Sequence, residues 1–155
     1  MFASDFRLTN SIATTSRNPV LWSRYLYTFS NVDAVEQKRR YYQQLYFSGF
    51  DENHLARLLH TDFFARWEVF GAERANPILA VRPAPITEEE ISNAVKEYSG
   101  FITSFNSELA ENPLLSYAVV SPDATLSNLD RWYERSRGER TGDFVIYRLA
   151  LRVSR

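Results

Sequence analysis

The sequence predicts an α/β fold, with a small, mainly parallel sheet flanked by helices in a single domain spanning 1-155. Three observations predict it. Short apolar runs that suit strands sit at Phe2–Phe6, Tyr117–Ser121 and Phe144–Leu151, while longer stretches with helical spacing lie between them. The run "LLSYAVVS" is almost uninterrupted, as expected of a strand covered on both faces of a parallel sheet. Taken in order, the elements read β, α, β, several helices, β, α, β, and that alternation favours a layered α/β arrangement.

The first run, Phe2–Phe6, reads as a buried strand, and Leu8 to Ala13 as a short helix. Pro19–Phe29, "PVLWSRYLYTF", is rich in β-branched and aromatic residues and reads as a second strand or extended segment. A firmer helix follows. Asp33 caps it and Glu36, three residues on, completes a capping box. Val35, Tyr42, Leu45 and Tyr46 share one face, and Gly49 ends it in the left-handed conformation. Asp51 caps the next helix, whose apolar row is Leu55, Leu58 and Leu59. A further piece carries Phe63, Phe64, Trp67 and Phe70 and stops between Gly71 and Pro77. "ILAVRPAP" reads as a short strand or a connector, its prolines favouring an edge or loop.

Thr87 and Glu90 form a second capping box, with three acids where the positive end of the helix dipole favours them. Ile91, Val95, Tyr98, Ile102, Phe105 and Leu109 then trace one apolar face up to Pro113. Gly100, inside that helix, predicts close packing or a slight bend. After the "LLSYAVVS" strand, Ser127 caps a short helix through "NLDRWYER", and "GERTG" makes a turn. "DFVIYRLALR" closes the chain, with Val145, Tyr147, Leu149 and Leu151 on one face. The short insert before this last strand lets it run in either direction.

Composition narrows the function classes. The 155 residues include 45% hydrophobic and 24% charged residues, ordinary values for a folded domain. A net charge of −1 offers no general attraction to nucleic acid or to an anionic membrane. The absence of cysteine excludes disulfides and thiolate metal sites. No apolar stretch approaches the roughly 20 residues that cross a bilayer, and "MFASDFRLTN", with an acid at Asp5 and no long apolar region, is not expected to act as a signal peptide. A strand starting at the second residue leads to the expectation of a domain excised from a longer protein.

Few residues carry recognisable chemistry. "RLTNSI" after the first strand has no glycine, so the layered, Rossmann-like arrangement comes without a dinucleotide fingerprint, and no cofactor is expected. His54 and His60 are six residues apart and point to different faces of a helix, so no metal is expected, even with Asp62 close to His60. Glu88–Glu90 is a solvated first turn. Lys38, Arg39 and Arg40 alternate with tyrosines that face a core, so no nucleic-acid partner is expected. The alternating charges of Leu126–Asp143 suit a solvated helix and turn, apart from Trp132 and Tyr133, at least one of which should pack on the sheet. No nucleophile elbow surrounds Ser121, because Pro122 and Asp123 follow it. In open α/β sheets ligands bind beyond the C-terminal ends of strands, and that rule singles out Ser4, Asp5, Ser121 and Asp123 as candidate binding residues. In the alternative reading Asp5 and Asp123 are turn residues, and "SPD" is a strand terminator.

The opening "FASD", the "Y-x-V-V-S"-like strand at Tyr117–Ser121 and "G-D-F-x-x-Y-R" at Gly142–Arg148 resemble the soluble C-terminal domain of polytopic bacterial membrane proteins of the glycosyltransferase C superfamily type. The middle, Phe50–Asn112, is longer and more helical than in that family. The resemblance implies a non-catalytic domain on the extracytoplasmic side, attached to a membrane-embedded parent protein. Its role would be to assist glycan or lipid-linked sugar positioning, protein contacts or stability. The family's catalytic acid lies between membrane helices, so no catalytic residue carries over. Two other readings stand beside it. One is a free-standing small transferase or hydrolase using Asp5 and Asp123. The other is a cytoplasmic protein-interaction module that docks a partner through the aromatic face from Tyr41 to Phe47.

Overall fold

The computed structural model describes residues 1–15, 17, 19–23, 33–76, 78–79 and 84–152. The expected strand at Pro19–Phe29 lies partly outside the described residues, and its described part, 19–23, is irregular. Half of "ILAVRPAP", residues 80–83, lies outside them too.

The chain opens with β1 (Phe2–Ala3) and α1 (Phe6–Thr15), then α2 (Ala34–Phe47), α3 (Glu52–Thr61), α4 (Phe63–Phe70) and α5 (Ala72–Ala75). After them come α6 (Glu88–Ser104), α7 (Ser107–Glu111), β2 (Tyr117–Val120) and α8 (Ser127–Trp132). β3 (Tyr133–Arg135), β4 (Glu139–Thr141) and β5 (Phe144–Leu151) complete it. The first strand is shorter than expected because Asp5 already caps α1, its Oδ1 accepting from the Arg7 N–H at 2.6 Å.

Among the described residues, the sheet runs β1-β2-β5-β3, with β4 also on β5. The fold is mixed α/β, and the sheet is mostly antiparallel. Only β1 and β2 run parallel, Phe2 opposite Ala118; β5 runs antiparallel to β2, β3 and β4. This corrects the expected mainly parallel sheet and its Rossmann-like layering. The cause lies in "GERTG", read as a simple turn. It contains β4 and the first residue of a two-residue hairpin loop, Gly142-Asp143, in which Gly142 takes φ 58°. A hairpin that tight forces antiparallel neighbours. β3 and β4 lie along the same β5. From Tyr133↔Leu151 to Glu139↔Ile146 is six steps on one strand and five on the other, so one extra residue makes a bulge. Ser136 closes it, its N–H donating to Arg148 O at 2.9 Å while its Oγ accepts from Arg148 N–H at 3.0 Å.

Two cores share α2. Tyr46 and Phe47 pack with Phe2, Ala118, Val120 and Tyr133 against the sheet, whereas Tyr41, Tyr42 and Leu45 pack with Trp22, Leu55, Leu59 and Tyr98 among the helices. Enclosure from both sides explains why every residue from Tyr41 to Phe47 is buried, Gln43 and Gln44 included. No aromatic face is left there for a partner. Val35, expected on the apolar side, is 72% exposed. Glu36 does not close the box with Asp33; it accepts from Arg39 and Arg40, each Nε at 2.6 Å.

The long helix is also interrupted. α6 has the Thr87–Glu90 capping box as expected but ends at Ser104, and Asn106 caps a separate α7 by accepting from the Leu109 N–H at 3.0 Å. Asparagine at that position competes with helix continuation by bonding the backbone itself. Gly100 does not pack closely, since nothing lies within 4 Å of where its Cβ would be. Ser127 is the first residue of α8, and no side chain caps that helix. Tyr133 is fully buried; its hydroxyl donates to Ala110 O and accepts from the Leu115 N–H at 3.2 Å. Trp132 donates to Tyr46 Oη at 3.0 Å.

Candidate functional site

Parallel pairing puts the C-terminal ends of β1 and β2 on the same edge of the sheet. Ser4 extends β1, its N–H donating to Val119 O at 3.2 Å, and Ser121 follows β2 directly. Three other chain segments arrive there. α1 begins just beyond Ser4. α2 ends at Ser48, whose Oγ accepts from Gln44 Nε2 at 3.3 Å, and the same amide donates to Ala3 O at 2.7 Å. Buried Gln44 therefore ties the end of α2 to the end of β1. The third arrival is the break between α3 and α4 at Asp62, whose Oδ1 accepts from the Phe64 and Ala65 N–H groups at 2.7 and 3.1 Å.

These segments enclose a cleft of about 770 Å³, within the range usual for small-molecule sites. Four hydroxyl-bearing residues, Ser4, Ser48, Ser121 and Thr125, line it, with Asp5, Asp62 and Arg7. Phe6 and Phe50 supply an apolar wall, their rings edge to face at 5.9 Å. Phe50 is fixed from behind: the Tyr98 hydroxyl donates to its carbonyl at 2.7 Å, and His54 stacks on its ring at 4.9 Å.

Three of the four candidate residues, Ser4, Asp5 and Ser121, thus share one cleft. Asp123 does not line it. The "SPD" segment is a tight turn in which the Ala124 N–H donates to Ser121 O at 3.0 Å, leaving Pro122 and Asp123 exposed at its tip. "SPD" is thus a strand terminator at Pro122 and Asp123, with Ser121 on the cleft. Asp5 serves both readings, since its Oδ1 caps α1 while the residue lines the cleft.

Sequence reasoning missed Ser48, Asp62 and Thr125 as cleft residues. Asp62 stands immediately before "FFARWEVF", a helix-start signal that was legible; it was weighed only as a neighbour of His60. Ser48 and Thr125 offer no such signal, because only the tertiary fold brings them there. The histidines are apart: His54 Nδ1 lies 2.8 Å from Asp51 Oδ1, and His60 Nε2 lies 3.8 Å from Glu88 Oε2. Among the described residues no cluster of three metal-ligating side chains forms, and no helix is long and apolar enough to cross a membrane.

No family model, no curated protein and no solved structure matches this chain.

Proposed function

We propose that this chain is a binding domain that holds a hydroxyl-rich ligand, a glycan or the sugar end of a lipid-linked sugar, in the cleft at the ends of β1 and β2. The observation that carries the reading is the lining: four hydroxyl-bearing residues, two acidic residues and two phenylalanines meet around one cleft. Hydroxyls and carboxylates accept and donate in the pattern that sugar hydroxyls require, and aromatic rings cover the C–H faces of a pyranose. Asp5 and Asp62 each hold a helix N-terminus through one oxygen, a structural duty that suits ligand positioning better than proton transfer.

The likeness of "FASD" and "GDFVIYR" to tails of membrane glycosyltransferases supports a place for the domain beside a membrane-embedded parent, on its extracytoplasmic side. A second reading, a small transferase or hydrolase, is favoured by one observation, the presence of two carboxylates in the same cleft.

Saturation-transfer NMR with N-acetylglucosamine, glucose and maltose tests the first reading. Saturable binding is expected, weakened about 3- to 10-fold by Ser121→Ala or Thr125→Ala, the loss of one hydrogen bond each. Absence of saturable binding by any of the three sugars would sink the glycan assignment. Turnover of a sugar conjugate that Asp5→Asn abolishes would favour the enzyme. Fractionation of the native product with an antibody against this domain tests the parent: a large membrane-bound product is expected, and a soluble product of 18.0 kDa refutes it.

A further inference from the structure

A second cavity is lined by residues of α3, α4, α5 and the start of α6. α3 carries His60 in its last turn, α4 carries Arg66, α5 carries Arg74, and the segment 84–87 leads into α6 at Glu88. Together they enclose about 460 Å³. Its apolar wall is Leu59, Ile86 and Ile91, and its polar wall is His60, Arg66 and Arg74.

The two arginines differ in their partners. Arg74 Nη2 donates to Glu90 Oε2 at 2.9 Å and to Pro85 O at 3.1 Å, so its charge is balanced. That guanidinium, with the Thr87 backbone, holds the Glu90 carboxyl down at about 2. Arg66 has no such balance. Its side chain makes no hydrogen bond or ion pair among the described residues, and its Nε is buried without a partner, as is that of Arg74. A buried carboxyl can take up a proton and become neutral, whereas a guanidinium keeps its charge at any physiological pH. An unbalanced cation on a concave surface, with a second guanidinium and an imidazole lining the same cavity, matches an oxyanion in charge.

We propose that this cavity binds the phosphate monoester of a small molecule. Arg66 is the principal anion ligand, His60 and the free edge of Arg74 are further donors, and the ester's apolar body lies against Leu59, Ile86 and Ile91. Donors on three different helices suit a tetrahedral dianion better than a planar carboxylate. Glu88 opposes binding, but its side chain is 82% exposed and free to swing into solvent. The site is separate from the sugar cleft and does not rest on its assignment.

The test is isothermal titration of the full chain with phenyl phosphate, inorganic phosphate and benzoate at low salt. Phenyl phosphate is expected to bind saturably and more tightly than either of the other two. Arg66→Gln should weaken it at least about 10-fold, the loss of one charge-assisted contact. Its thermal melt should be unchanged, because the side chain has no partner to lose. Glu88→Gln, an exposed substitution that leaves the fold intact, should strengthen binding about 2- to 5-fold by removing a like charge. Three results would each overturn the proposal: no saturation by 10 mM phenyl phosphate, equal affinity in wild type and both variants, or equal affinity for phenyl phosphate and inorganic phosphate.

Discussion

Glu68 sits on α4, 4% exposed, where the helical core meets Trp22. Its Oε2 accepts from Gln37 Nε2 at 3.0 Å, but its Oε1 has no well-formed hydrogen bond. Burial pushes the carboxyl up from 4.5 to about 7; the neighbouring Gln37 amide and Trp22 indole pull only weakly the other way. The sign of the consequence is the reverse of the usual carboxylate case. In the unfolded chain Glu68 ionises near 4.5, and in the folded chain near 7, so between those values the native state holds the extra proton. Stability from this group is fully present below pH 4.5, declines as pH rises, and is lost above pH 7. Each pH unit of that window is worth about 1.4 kcal/mol, so ionised Glu68 costs about 3 kcal/mol relative to its neutral form.

Glu68→Gln replaces the carboxyl with a neutral group of the same shape, and the Gln37 amide can turn to offer its oxygen. The variant should exceed wild type by less than about 1 kcal/mol at pH 5 and by about 3 kcal/mol at pH 8. Urea unfolding followed by tryptophan fluorescence at the two pH values reads this directly, as a midpoint shift of more than ~1 M at pH 8. Taking the difference between variant and wild type cancels other titrating groups, among them the Met1 amine, which burial and the Arg40 charge lower to about 6. An equal advantage at both pH values, or a wild type more stable than the variant at pH 8, would refute the reasoning.

Two glycine substitutions should have opposite signs. A Cβ at Gly138 would lie 2.4 Å from Val145 Cγ1 and 2.6 Å from Tyr147 Cε1, so Gly138→Ala should destabilise by about 1–3 kcal/mol in urea unfolding. Gly100→Ala, in an open position inside α6, should raise stability by about 1 kcal/mol in the same assay. Tyr133→Phe leaves Ala110 O and the Leu115 N–H without their shared hydroxyl and should lower stability by about 1–3 kcal/mol. Thr87→Ala removes the side-chain acceptor of the capping box, with an expected loss of about 1 kcal/mol by thermal melting.

Helices were the legible part of the fold because their signals are local. Asp33, Asp51 and Thr87 each cap the helix that the spacing assigned to them, and Gly49 ends α2 with φ 78°. Two local signals failed, the Glu36 half of the first capping box and the Ser127 cap, and the other failures depended mainly on a partner distant in sequence. A periodic apolar row does not say whether the opposite face is also covered, so it gives no sign that Gln43 and Gln44 are buried where α2 runs between two cores. The break at Phe105–Asn106 was masked because the apolar row continues through it to Leu109. β3 and β4 were hidden by their charges: Glu134, Arg135, Glu139 and Arg140 are what an exposed edge strand carries to discourage pairing with other chains, and they read equally well as a solvated turn.

The cleft, by contrast, was partly legible even though the sheet was misjudged. The rule that ligands gather beyond strand C-termini needs neighbouring strands that point the same way. It does not need a whole parallel sheet. β1 and β2 are the pair that satisfies it, and their ends bring Ser4 and Ser121 to one edge. β5 runs the other way and contributes nothing at that edge. Asp123 was lost for a local reason: the turn that ends β2 closes between Ser121 and Ala124, which puts the third residue of "SPD" at the tip, facing water. Asp62 takes the place of the second carboxylate, delivered by a helix break some sixty residues upstream. A carboxylate pair in the cleft was therefore foreseeable in kind, while its second member was set by how α3 and α4 fold back on β1.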